Sequence, residues 1–82
     1  NWNETVFLSQ GANDEYRIEI DPDEIPLQIK NQIVQLMEKS SKLETCLKSR
    51  LTPSNVVFQI DFVSRNRADK VFEQLVDLLE SN

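Results

Sequence analysis

The sequence predicts an α+β fold: a two-layer α/β sandwich in which a small three-stranded mixed sheet, in the order β-β-α-β-α, carries two helices packed on one face. Three patterns predict it. Tyr16-Arg17-Ile18-Glu19-Ile20-Asp21 alternates apolar and polar residues with the period of a half-buried strand. Val56, Phe58, Ile60 and Phe62 alternate with Val57, Gln59, Asp61 and Val63 in a second, more apolar strand. Ala68, Val71, Phe72, Leu75 and Leu79 follow the spacing of an amphipathic helix.

Taken in order, Thr5–Ser9 is β-branched and aromatic. With the polar stretch from Gln10 to Glu15 and the Tyr16–Asp21 segment it reads as a hairpin with a loose loop. Asp21, Asp23 and Glu24 around Pro22 place carboxylates before and inside a first helical turn, where unpaired N–H groups and the positive end of the dipole favour them. Ile29, Ile33, Leu36, Ser40, Leu43 and Leu47 recur at alternating spacings of four and three, predicting one long helix over 26–51. The Ser40-Ser41 pair is the place where that helix would bend or divide into two, because small hydroxyl residues compete for backbone hydrogen bonds and add no packing. Thr52-Pro53 closes it, since proline disfavours helical backbone in the residue before it and has no N–H to donate. The apolar strand over 56–63 is the expected sheet centre, and Ser64 or Asn66 caps the last helix. A right-handed crossover then sets the second and third strands parallel.

A chain of 82 residues supports one modest core, and 39% hydrophobic with 28% charged residues is a globular balance. We expect residues 1–82 to be a single domain cut from a larger protein. No run reaches the roughly 20 apolar residues of a membrane-spanning helix. A lone Cys46 cannot close an internal disulfide, which makes the cytoplasm the expected compartment. Nine basic against fourteen acidic residues leave a net charge of −5, which disfavours DNA and anionic membranes as partners. The charge is uneven. Residues 1–38 hold two basic and eight acidic groups, whereas residues 39–50 hold four and one.

Several chemistries are excluded by residue type. The chain has no His, which removes the usual general base near neutral pH and the commonest transition-metal ligand. One Cys without His cannot close a zinc site, and a single glycine, Gly11, cannot form a phosphate-cradling loop. The Asp21, Asp23 and Glu24 cluster lacks the ligand repeat and central glycine of a calcium loop and reads as a helix start. No catalytic, metal or cofactor site is therefore expected.

What remains are surfaces. On a helix over 26–51, Lys39, Lys42, Cys46 and Arg50 share one stripe, and its cations would lower the thiol pKa. Arg65 and Arg67 bracket the start of the last helix, where positive charge opposes the dipole; they suggest an anion site, or pairing with Asp61 or Asp69. Trp2, Phe7, Val57 and Val63 are candidate members of an apolar interface. The expected function is a non-catalytic protein-interaction or self-association domain of a larger regulatory or signalling protein, with a protein or a second copy as partner and weak anion binding at most. The alternatives are a small acidic inhibitor, such as an antitoxin or immunity protein, that covers a basic surface, and a phosphate- or RNA-binding domain using Arg65, Arg67 and the basic stripe.

Overall fold

The computed structural model describes residues 5–21, 25–51 and 58–81. Among them run β1 (Val6–Gln10), β2 (Tyr16–Ile20), α1 (Leu27–Ser41), β3 (Cys46–Arg50), β4 (Phe58–Phe62) and α2 (Arg65–Glu80). The fold is α+β, with two helices and one antiparallel sheet of four strands in the order β1-β2-β4-β3.

The expected hairpin forms, with β1 ending at Gln10 and a closed turn in place of the loose loop. β1 and β2 pair without a register break from Val6↔Ile20 to Gln10↔Tyr16. Asn13 and Asp14 turn the chain with φ of 60° and 58°, the left-handed backbone that a tight hairpin turn requires and that Asn and Asp accept more readily than other side chains. The Gly11 N–H donates to the Glu15 carbonyl at 2.7 Å and closes the loop.

Between 26 and 51 the structure departs from the expected single helix. α1 ends at Ser41, and the residues that were to continue it form β3. The hydroxyl pair marks the break: Ser41 Oγ donates to the Glu38 carbonyl at 2.7 Å, and the Lys42 N–H already turns back to Lys39 and Ser40. Two further turn bonds, Leu43 N–H to Ser40 and Cys46 N–H to Leu43, reverse the chain into β3. The force behind the change is long-range. β4 is an apolar strand with two edges, β2 satisfies one, and the segment after Ser41 supplies the other with a ladder. Leu43 and Leu47, which fitted the helical stripe, end up exposed. Leu47 is the extra residue of a bulge, since Cys46 pairs with Phe62 and Lys48 with Asp61.

This additional strand also corrects the sheet. β2 runs antiparallel to β4, not parallel, because β3 takes the place at the end of the crossover and β4 then returns between β3 and β2. β4 is an inner strand, as its composition suggested. The first turn of α1 carries no acidic residue; Asp21 precedes it, and Asp23 and Glu24 lie outside the described residues.

One core joins the elements. Val6, Ile18, Ile20, Phe58, Ile60 and Phe62 from the sheet meet Ile29, Ile33 and Met37 of α1 and Ala68, Val71, Leu75 and Leu79 of α2. Fully burying an aliphatic or aromatic side chain of this size contributes about 1.5–3 kcal/mol, so these positions hold the fold together. Phe72 is half-buried at the margin of that core, rather than at its centre with Ile18 and Phe58. α2 lies against β1, β2 and β4, while α1 contacts β3 and α2. Ser64 caps α2, its Oγ accepting from the Arg67 N–H at 3.2 Å.

Candidate functional site

Because side chains alternate along a strand, the residues between the core positions project from the opposite side of the sheet. Reading the pairing across β1, β2, β4 and β3 gives two rows there: Ser9, Arg17, Asp61 and Lys48, then Phe7, Glu19, Gln59 and Arg50. Three cations and two anions mix on this face, so it carries less negative charge than the chain as a whole.

Its centre is an ion pair absent from the sequence-based expectations. Arg17 Nε donates to Asp61 Oδ1 at 2.9 Å and Nη2 to Oδ2 at 3.2 Å, a two-pronged contact between directly opposed residues of β2 and β4. The Asp61 side chain is 4% exposed and that of Arg17 42% exposed, so the guanidinium covers the carboxylate. Asp61, first by the hydrogen bond and then by its charge, holds the Arg17 proton more tightly than usual. With its amide oxygen turned toward the guanidinium, Gln59 accepts from Arg17 Nε at 3.2 Å and from Nη2 at 3.3 Å. Ser9, Gly11, Ala12 and Glu15 border a depression of about 270 Å³ beside this pair.

The proposed cationic stripe does not form. Lys39 lies in the last turn of α1, Lys42 follows its end, and Cys46 and Arg50 belong to β3. Arg50 therefore joins Lys48 on the sheet face instead of Lys39 on a helix. The Cys46 thiol pKa is raised, the reverse of the expected activation; desolvation comes first and the Asp61 charge second, with a backbone hydrogen bond at Lys48 opposing them. Arg65 and Arg67 do not share a site either. Two residues apart on a helix, they point in different directions. Arg65 is exposed, with Nε 3.8 Å from Asp69 Oδ2, and lines a depression of about 170 Å³ with Leu8, Ser9, Gln10, Tyr16 and Asp69. Arg67 is half-buried and lines another of about 190 Å³ with Leu36, Lys39, Ser40, Leu43 and Gln74.

Of the apolar candidates, Phe7 and Val63 are 47% and 48% exposed, Phe7 on the charged face of β1 and Val63 just past β4. Trp2 and Val57 lie outside the described residues. Among the described residues no three acidic or Cys side chains converge as metal ligands would, and no helix is long and apolar enough to cross a membrane.

The sheet ends in two edges of unequal character. β3 carries Lys48, Arg50 and the Leu47 bulge, devices that discourage another strand from pairing. β1, Val6-Phe7-Leu8-Ser9-Gln10, has no charge, no proline and no bulge. The backbone phase of β1 follows from its flanking bonds. The Asp21 N–H donates to the Thr5 carbonyl at 3.0 Å, and the Gly11 N–H donates to that of Glu15. In an antiparallel ladder the bonded pairs alternate, so Phe7 and Ser9 direct their backbone groups at β2. Val6, Leu8 and Gln10 direct theirs away from β2, where no described strand pairs with them; Val6 is nonetheless buried, so the accessible part of the edge is at Leu8 and Gln10. That so small a sheet leaves exposed edges able to take another strand is expected from the sequence, as is Phe7 as an apolar candidate; which strand lies at the edge is a property of the pairing.

Comparison with protein-family models, curated proteins and solved structures gives no match for this chain.

Proposed function

We propose that this chain is a non-catalytic interaction or self-association domain that works by accepting a strand along β1. The reading takes the helices as one layer and the sheet as the other, so that β1 forms an accessible rim. The observation that carries it is the uncharged β1 edge, with outward N–H and C=O groups at the exposed residues Leu8 and Gln10 and apolar side chains at Phe7 and Leu8. Strand addition draws affinity from main-chain hydrogen bonds and selectivity from alternate side chains. Both are on offer here.

The test uses two variants that guard the edge while leaving every β1–β2 bond in place. Gln10→Pro deletes an outward N–H, and Leu8→Lys adds the charge typical of a protected edge. Immobilised domain is expected to retain a protein, or free copies of itself, in a manner that both variants abolish and Glu73→Gln on α2 does not. Equal retention by the edge variants, or no retention by the parent domain, rejects the reading.

A second reading, recognition of an acidic segment, has one observation in its favour. Lys39 and Arg67, from different helices, rim the depression whose walls include Leu36 and Leu43. Phosphate or RNA binding by Arg65 and Arg67 together has less support, because they face separate depressions. The acidic-inhibitor reading draws no support from the sheet face, where cations outnumber anions.

A further inference from the structure

We infer that the depression between α1 and α2 takes an acidic peptide segment anchored by one large apolar side chain, a leucine or phenylalanine flanked by carboxylates. This rests on the reading of that depression as a site for an acidic segment, and deepens it. The space exists because of Ser40. In the stripe Ile29, Ile33, Leu36, Ser40 and Leu43, a small hydroxyl residue takes a position whose spacing suits a leucine. Ser40 is only 5% exposed, so the room that a larger side chain would fill lies against the body of the protein rather than out in solvent. The depression measures about 190 Å³, with Leu36 and Leu43 from α1 and the turn after it, and Arg67 and Gln74 from α2. A cavity of about 150 Å³ already holds a benzene ring. There is thus room for one aliphatic or aromatic side chain.

The rim selects charge. Lys39 and Arg67 line the depression from different helices, none of its lining residues is acidic, and no carboxylate among the described residues pairs with either cation. Arg17 and Arg65, by contrast, each face an aspartate. Arg67 is also half-buried, which strengthens its attraction for an incoming carboxylate relative to a cation fully in water. Gln74, two turns along α2 from Arg67, offers an amide donor beside it. Charge alone makes a weak complex here. Exposed ion pairs contribute little in water, and the net charge of −5 opposes an anion at long range. Affinity therefore depends on burying an apolar group between Leu36 and Leu43, the latter 38% exposed. Inorganic phosphate supplies charge without that anchor, and two cations in an acidic chain are few for a run of nucleic-acid phosphates. An acidic peptide with an apolar anchor meets both requirements.

Calorimetric titration of the full chain with two acidic peptides, identical but for a central leucine or alanine, tests the anchor. The leucine peptide is expected to bind about tenfold more tightly, the effect of partly burying its additional carbon atoms. Lys39→Gln with Arg67→Gln is expected to weaken both peptides, whereas Arg65→Gln, outside the depression, leaves them unchanged. Ser40→Leu fills the space and is expected to bring the leucine peptide down to the affinity of the alanine peptide, with folding checked by circular dichroism. Should that variant not fold, Leu43→Ala, at a partly exposed position, is expected to narrow the same difference. Equal affinity for the two peptides in the parent chain overturns the anchor but leaves the acidic-segment reading in place. Binding of neither peptide removes both. Leucine-peptide affinity that survives Lys39→Gln with Arg67→Gln, or that is lost in Leu8→Lys on β1, places the peptide elsewhere and overturns the inference. A single-stranded RNA that displaces the leucine peptide and itself depends on Arg67 overturns it as well.

Discussion

Asp61 lies on the inner strand β4, and its carboxylate is buried beneath Arg17. Such a group is tolerated because the guanidinium supplies two charge-assisted hydrogen bonds; without them the carboxylate keeps its desolvation penalty and gains nothing in return. Arg17→Ala is therefore expected to cost about 1–3 kcal/mol in urea unfolding, the range for stranding a buried acceptor, moderated here by the exposure of the arginine. Arg17→Ala with Asp61→Asn should cost less than the sum of the two single changes, since the second substitution removes the charge the first one strands. Additive losses would show that the two side chains do not stabilise one another. Cys46 gives the opposite lesson. Lys39 and Lys42 precede it in sequence, yet its thiol titrates according to burial and Asp61, because the chain reverses between them.

β3 is the element whose assignment decides the topology. As the end of a helix, its Leu47 would lie on the apolar stripe; as a bulged edge strand, it is 50% exposed. These alternatives separate on stability. Leu47→Lys is expected to change it by less than about 0.5 kcal/mol, as at an ordinary surface position. Ile33→Ala, on the buried face of α1, is expected to cost about 2–5 kcal/mol through lost burial and the cavity left behind. Comparable losses in thermal or urea unfolding would return Leu47 to the interior and remove β3. α2 leaves no such ambiguity. Its apolar spacing, its Ser64 cap and the burial of Ala68, Val71, Leu75 and Leu79 all agree.

The molecule carries a net charge of −5, so two copies repel at a distance even though their β1 strands are uncharged. Added salt screens that repulsion. Self-association is accordingly expected to strengthen between about 20 mM and about 300 mM salt, over which the screening length falls severalfold. Binding of an anionic partner at Lys39 and Arg67 would weaken over the same range. Sedimentation at the two salt concentrations distinguishes these, and weaker self-association at high salt would count against pairing through an uncharged edge. The compact shape follows from the same chain. Both helices and the sheet contribute to one buried cluster, and no second core forms among the described residues.

How far the amino-acid order carried the account differs by element. Local alternation sufficed for β2 and β4, and helical spacing for α2, because in each the buried residues repeat with the period of a single backbone conformation. Residues 42–50 were not legible in that way. Leu43 and Leu47 fit a helix as spacing, and only the open edge of β4, remote in sequence, draws Cys46–Arg50 into a ladder. The candidate site divides likewise. Phe7 and the separate cations stood out as residue types, whereas the Arg17–Asp61 pair, the parting of Arg65 from Arg67 and the exposed flank of β1 arose from pairing across the sheet. Periodicity records which side of an element is buried; the identity of its neighbour is fixed by contacts between distant segments, and those exist only once the chain has folded.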